Sequence, residues 1–166
     1  MGAVRAAEAV DADAMVDLLL FTLDGRPFAV RLGQVERVTA MAAFRPLPGA
    51  PAVVAGVINV GGRFLPVLDV RARLGMAVRS PRLDDGLVVV RLARQSVALW
   101  IDHVDGTLRQ PSDSLIPADN VVPAGGYFEA VTALPGGPVF IHDLDRFLSM
   151  EEQGALDAAM ARESAS

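Results

Sequence analysis

Two segments of this chain, 74 residues apart, have nearly the same residue pattern. The first runs from Gly56 to Gly75 (GVINVGGRFLPVLDVRARLG) and the second from Ala130 to Ser149 (AVTALPGGPVFIHDLDRFLS). Aligned without a gap, they bring Gly62 opposite Gly136. A period of 74 residues is too long for a solenoid repeat, and two copies are too few. The pattern therefore predicts a structural duplication, with one copy of the segment in each of two similar halves.

Size and charge restrict the class of protein. A chain of 166 residues, 52% hydrophobic and 21% charged, is long enough to bury the core of one globular domain. Its net charge of −5 argues against binding to nucleic acid or anionic lipid, because both require a basic face. The absence of cysteine excludes disulfides and thiolate metal sites. We expect a cytoplasmic protein that neither binds nucleic acid nor inserts into a membrane.

Strand and turn signals outnumber helix signals along the chain. Asp24-Gly25 separates two β-rich runs and predicts a hairpin, and a second hairpin is predicted around Arg94-Gln95. The last element begins with a capping box, in which Ser149 and Glu152 each satisfy a free backbone amide of the first helical turn. We predict a mostly β architecture of barrel type with one C-terminal helix.

The domain organisation follows from the same signals. We expect a flexible tail over residues 1–15, a single domain over 16–163, and a frayed end over 164–166. A charged, turn-rich loop near residues 78–86 is the approximate junction expected between the two halves.

The polar residues of the duplicated segment admit a chemical and a structural interpretation. Asp69 and Asp143 each end a strand before a helical tail, which favours a structural, helix-capping role over catalysis. Asp102-His103 and His142-Asp143 are candidates for a metal site, although adjacent strand residues point to opposite faces and each pair would supply one ligand. The chain has no nucleophile elbow, phosphate loop or dinucleotide-binding motif. This favours binding over catalysis.

Five stretches follow one another along the chain: LLLFTLDGRPFAV, LGQVERV, LPGAPAVVAGVINVGGRFLPVLDVRARLG, ALWIDHV and VFIHDLDRFLSMEE. The central stretch is the most specific and combines Asn59, Gly62, Pro66, Asp69 and Leu74. From about Val16 to the final helix, the series resembles the CheW-like adaptor proteins of bacterial chemosensory systems. The resemblance implies two packed, five-stranded, SH3-like β-barrel subdomains and a C-terminal helix, with one copy of the duplicated segment in each barrel.

The resemblance also implies a function. Members of this family are not enzymes; they bind the regulatory domain of a CheA-type histidine kinase and the cytoplasmic tip of a methyl-accepting chemoreceptor. This implies a scaffold in chemotaxis or a similar signal transduction pathway, without cofactor or metal. Two alternatives stay open: a filler or brake that binds only the kinase, and a small metal-dependent hydrolase that uses Asp102, His103, His142 and Asp143.

The resemblance further implies which residues contact partners. The positions that it implies as partner contacts are Val35, Arg37, Gly56, Asn59, Gly61, Gly62, Arg63, Val104 and Val131, the last within the segment 130–134.

Two positions depart from the family pattern. The family has Asn-Leu-Arg-Gly where this chain has NVGG from Asn59 to Gly62, so its arginine is replaced by Gly61, and Arg63 is a partial substitute. Arg37 stands where the family usually has glutamate, and Glu36 lies one place earlier. Complementary charge sets the choice of partner, so we expect a partner other than the commonest receptor type.

Overall fold

The computed structural model describes residues 14–121 and 126–165, and confirms a mostly β fold with a C-terminal helix. Its strands are β1 (Met15–Leu23), β2 (Arg26–Arg31), β3 (Val35–Ala40), β4 (Val54–Val60), β5 (Arg63–Asp69), β6 (Gly86–Arg91), β7 (Ser96–Ile101), β8 (His103–Pro111), β9 (Ile116–Pro117), β10 (Phe128–Leu134) and β11 (Gly137–His142). Its α-helices are α1 (Val70–Arg73) and α2 (Met150–Ala165). Short 3-10 turns connect several of these elements.

The chain forms two compact units, and each draws on both halves of the sequence. Unit 1 consists of the described residues up to Gly33 together with Val104–Asp143. Unit 2 consists of Gln34–His103 and the described residues from Leu144 onwards. The single junction expected near residues 78–86 therefore falls inside unit 2, and the chain passes between the units at three other points. The physical reason is strand exchange, because the strands that follow the β1–β2 and β6–β7 hairpins each join the sheet of the other unit.

That exchange is visible in the strand order. β3 follows the β1–β2 hairpin in sequence but pairs with β6 in unit 2. β8 follows the β6–β7 hairpin but lies beside β1 in unit 1.

Unit 1 contains a sheet in the order β8-β1-β2-β11-β10-β9. It has six strands where the resemblance implies five, because the two-residue β9 pairs with β10 through Val131 and Ile116. At the β1–β2 turn, Asp24 and Gly25 have φ angles of 50° and 76°, the left-handed geometry that a tight hairpin requires. The core cluster consists of Leu18, Ala29, Ala130, Val139 and Ile141.

Unit 2 contains a five-stranded sheet in the order β3-β6-β7-β5-β4. Strand β7 is buried along its whole length, which explains its uninterrupted apolar sequence VALWI after Ser96. The core cluster of this unit consists of Ile58, Leu65, Val67, Leu87, Val89, Ala98 and Trp100.

The sequence duplication is also a structural one, since the β4–β5 and β10–β11 hairpins have the same register. Each pair shifts register near its start, between Val54 and Gly56 in one copy and between Phe128 and Ala130 in the other. The second strand of each hairpin also pairs in parallel with a strand of its own unit, β5 with β7 and β11 with β2.

The two copies also share their exit from the second strand. The backbone N–H of Asp69 donates to the carbonyl of Val53 at 2.8 Å, and that of Asp143 donates to Tyr127 at 2.9 Å. The Asp69 carboxylate then accepts the N–H of Ala72 at 3.2 Å and caps α1. In the second copy a 3-10 turn, Leu144–Arg146, replaces the α-helical one.

The chain ends differ slightly from expectation. Helix α2 begins with the predicted capping box: the Ser149 hydroxyl accepts the Glu152 N–H at 3.1 Å, and the Glu152 carboxylate accepts the Ser149 N–H at 2.9 Å. The helix continues through residues 164 and 165, which were expected to fray, and β1 already includes Met15. The rest of the expected ends, residues 1–13 and 166, lies outside the described residues. None of the described helices is long and apolar enough to cross a membrane.

Candidate partner-binding site

The structure gathers most of the predicted contact residues at one place in unit 2, where the β4–β5 turn meets β3. We call this place the turn surface and define it as Glu36, Arg37, Asn59, Gly61, Gly62, Arg63 and Phe64. Val35 precedes it on β3 and is half-buried. Two other predicted contacts, Val104 and Val131, belong to unit 1.

The β4–β5 turn has a backbone geometry that demands glycine. Gly61 and Gly62 have φ angles of +58° and +86°, a region in which a Cβ is sterically costly. The side-chain oxygen of Asn59 accepts a hydrogen bond from the N–H of Gly62 at 2.9 Å, which stabilises the turn. The turn therefore presents exposed backbone with no side chain at its tip.

Glu36 and Arg63 form an ion pair beside the turn. Arg63 Nη1 lies 3.0 Å from Glu36 Oε2, and the Ser96 hydroxyl donates to the other carboxylate oxygen. The hydrogen bonds from Ser96 and then Arg63 lower the pKa of Glu36 against the opposing effect of desolvation. Glu36 is therefore a carboxylate at neutral pH, and its charge is matched by that of Arg63.

The two departures from the family pattern are neighbours in space. A Cβ placed on Gly61 would lie 3.6 Å from Nη1 of Arg37, the nearest heavy atom outside the turn itself. The Arg37 side chain is exposed. The guanidinium group of Arg37 thus stands next to the position at which the family arginine would begin.

Two predicted contact residues are buried. Val131 is 5% exposed, within β10. Gly56 lies where the chain around Arg45 approaches β4, and a Cβ there would overlap the carbonyl oxygen of Arg45 and come within 2.7 Å of the Phe44 ring. Glycine at this position is therefore explained by close backbone packing, and neither residue offers a side chain to a partner.

The four residues of the hydrolase alternative do not form a metal site. Among the residues that the structure describes, no group of three or more His, Asp or Glu side chains is placed to hold a metal ion. Asp102 instead forms ion pairs with Arg71 and Arg79. Asp102 and His103 belong to unit 2, whereas His142 and Asp143 belong to unit 1.

His142 is a core residue. Its ring packs against three phenylalanines of unit 1, with centroids 5.8 Å from Phe21, 5.6 Å from Phe28 and 5.0 Å from Phe128. Burial lowers the pKa of His142 to about 3, so the ring is neutral at physiological pH.

Comparison with known proteins assigns the fold to a family. The model of the CheW-like domain matches residues 17–152, which is most of the chain. The chain belongs to this family. The match to the CheW-like domain begins two residues into β1 and ends in the first turn of α2.

Individual relatives agree with this assignment. The chemotaxis protein CheW of Rhizobium meliloti is 28% identical over 141 residues, which cover 84% of this chain and 91% of that protein. Protein PilI of Pseudomonas aeruginosa is 33% identical over 94 residues, or 57% of this chain and 53% of that protein. The crystal structure of the scaffolding protein TtCheW from Thermoanaerobacter tengcongensis shares the fold with a TM-score of 0.75 at 20% identity, over 84% of this chain and 96% of that one.

The CheW-like domain of this chain also contains a buried polar network that sequence patterns did not reveal. Asp85 is 4% exposed and accepts four hydrogen bonds: two from Arg79 at 2.7 and 2.8 Å, one from the Arg82 N–H at 2.8 Å, and one from the Trp100 indole at 3.0 Å. Asp102 extends the network through Arg79, at 2.9 Å, to Arg71. The network ties the loop between α1 and β6 to the core strand β7.

This network predicts a pH dependence of stability. Burial alone would raise the pKa of Asp85, but the hydrogen bonds from Arg79, Arg82 and Trp100 outweigh it and hold the pKa well below 3.8. A lowered native pKa contributes stability that is complete above the unfolded-state pKa and is lost as the pH falls below it. We expect Asp85→Asn to lower the free energy of unfolding by about 2 kcal/mol at pH 7, and by about 1 kcal/mol less than that at pH 3.

Urea unfolding of the native protein and of Asp85→Asn at pH 7, 5 and 3 measures this difference. Asp84→Asn, a neighbouring exposed carboxylate, is the control and should leave the free energy of unfolding unchanged at every pH. A cost of Asp85→Asn that is the same at all three values would contradict the expectation.

Proposed function

We propose that this chain couples a CheA-type histidine kinase to chemoreceptors, as a non-catalytic scaffold in a chemotaxis or chemosensory-like signalling pathway. The observation that carries this function is the match of the CheW-like domain to residues 17–152. The sequence relatives named as chemotaxis proteins support it, and so does the fold shared with a scaffolding protein.

The finer partners belong to the same proposal. We propose that the chain acts in the cytoplasm and binds the regulatory domain of the kinase and the cytoplasmic tip of a receptor. The turn surface, with Val35 beside it, and Val104 of unit 1 are the proposed contacts. The turn surface suits this role because Phe64 on β5 is 63% exposed and lines a cavity together with Arg45 and Glu163, and an exposed apolar side chain with polar neighbours is typical of interface centres.

The test is a calorimetric titration of the full chain with the regulatory domain of the organism's own CheA-type kinase, and separately with the cytoplasmic fragment of a receptor. We expect micromolar binding to both. Binding to the kinase domain alone would identify the kinase-only filler or brake. Failure to bind either at high micromolar concentration would contradict the proposed function.

A pair of variants locates the contact. Phe64→Ser should weaken binding about tenfold or more, because an exposed aromatic residue at the centre of an interface contributes most when it is desolvated. Leu83→Ser is the matched control: its side chain is 95% exposed and lies in the loop before β6, outside the turn surface. Equal affinities for the two variants would place the contact elsewhere on the chain.

A further inference from the structure

Arg37 has an unusual position for an exposed cation. In the β3–β6 ladder it is paired with Val89, a core residue that is 1% exposed. Residues directly opposite each other on two strands point to the same side of the sheet, so the Arg37 side chain starts on the core side. It ends at the margin of that core, next to Gly61 on the β4–β5 turn. The long aliphatic stem of arginine suits such a position, because it covers apolar surface and leaves the charged group in water.

The charges around Arg37 are already matched to one another. Glu36 pairs with Arg63 and accepts a hydrogen bond from Ser96. Within the described residues, the Arg37 guanidinium takes part in no hydrogen bond or ion pair. Arg91 adds a further positive charge near Glu36. Two arginines, Arg63 and Arg91, therefore act on the Glu36 carboxylate, and Arg37 adds a third positive charge to this part of the chain, although the whole chain has a net charge of −5.

We propose that Arg37 is the cationic contact of the turn surface and selects a receptor that carries a carboxylate opposite the Gly61 turn. This rests on the proposed function, since it names the chemistry of a partner at the same site. Two features support it: the guanidinium has no partner of its own within the described residues, and Gly61 leaves open the space above it. An Arg–carboxylate pair across an interface gives both charge complementarity and a fixed geometry.

A consequence is that positions 37 and 61 act as one unit. Gly61→Arg, introduced alone, places a second guanidinium beside that of Arg37 and adds a side chain at a φ of +58°. It should therefore weaken binding to the receptor fragment rather than strengthen it. Combined with Arg37→Glu, the same substitution creates a pair of opposite charges, so the two changes should be strongly non-additive.

The experiment is a set of titrations of the full chain with the receptor cytoplasmic fragment and with the kinase regulatory domain, at low and at physiological ionic strength. Arg37→Glu should weaken receptor binding about tenfold or more at low salt, and less at physiological salt, because salt screens the charge. Arg26→Glu is the matched control, since Arg26 is an exposed arginine at the start of β2 in unit 1. Thermal unfolding of each variant verifies that it is folded.

The outcomes separate this inference from the proposed function. Weaker receptor binding by Arg37→Glu, with Arg26→Glu unchanged, supports it. If Arg37→Glu leaves the receptor affinity unchanged, or if Arg26→Glu reduces it equally, the inference is overturned. The proposed function then still stands, provided that the native chain binds the kinase domain. If the native chain binds the kinase domain but not the receptor fragment, the inference is also overturned. Binding to neither partner overturns both.

Discussion

Replacing Asp102 with alanine should lower the free energy of unfolding by about 3 kcal/mol. The carboxylate of Asp102 forms ion pairs with Arg71, whose side chain is 1% exposed, and with Arg79 at 2.9 Å. Removing one member of a buried pair leaves the other charge in a low-dielectric environment, which costs more than the pair contributes. Asp102 itself is 18% exposed, so the cost lies at the lower end of the range for buried pairs.

Chemical denaturation at pH 7 measures this loss. Asp102→Asn keeps the shape and one acceptor oxygen, and should cost about half as much. Asp84→Ala is the control, because Asp84 is exposed in the loop before β6. This substitution should change the free energy of unfolding by no more than about 0.5 kcal/mol. An Asp102→Ala variant as stable as the control would contradict this expectation.

Replacing Gly56 with alanine should destabilise unit 2 by about 2–3 kcal/mol. The added Cβ would overlap the carbonyl oxygen of Arg45 and lie 2.9 Å from its carbonyl carbon. Arg45 and Val57 exchange two backbone hydrogen bonds at this point, of 3.0 and 2.7 Å. Because the obstructing atoms are backbone rather than the end of a flexible side chain, the segment around Arg45 has to move and these bonds lengthen.

Thermal unfolding of the purified variant tests this expectation. Gly33→Ala is the matched control, since no heavy atom lies within 4 Å of its added Cβ and its φ is not positive. We expect that variant to stay within about 0.5 kcal/mol of the native protein. Native stability in Gly56→Ala would mean that the Arg45 segment yields easily, and would reopen Gly56 as a contact position.

Burial separates structural residues from exposed residues within one family motif. Gly56 and Gly62 are part of the same stretch, GVINVGG, but one is buried and the other exposed. The turn surface begins at Asn59, where β4 reaches its exposed end. We expect substitutions before that point to act on folding, and those after it to act on the proposed recognition of a partner.

Local sequence determined the elements themselves. Asp24-Gly25 fixes a hairpin because few other dipeptides accept positive φ at both positions. Ser149 and Glu152 fix the start of α2 because their reciprocal hydrogen bonds involve residues only three apart. The duplication at 74 residues also determined that two hairpins would share a register, since equal patterns of apolar and turn residues select equal pairing.

Tertiary structure alone decided how these elements are combined. Strand β3 follows the β1–β2 hairpin of unit 1 but joins the sheet of unit 2, and β8 follows the β6–β7 hairpin of unit 2 but joins the sheet of unit 1. The local sequence of β3, VERVTA, favours neither sheet over the other. The Arg37 guanidinium lies near Gly61, 24 positions along the chain, and Arg71 forms an ion pair with Asp102, 31 positions away. The sequence therefore specified the duplicated β hairpins and the family they belong to, because those signals are local or periodic. The strand exchange and the charges at the turn surface depend on contacts between residues that are distant in sequence. Such contacts stabilise the protein only once the chain has folded, so local sequence does not predict them.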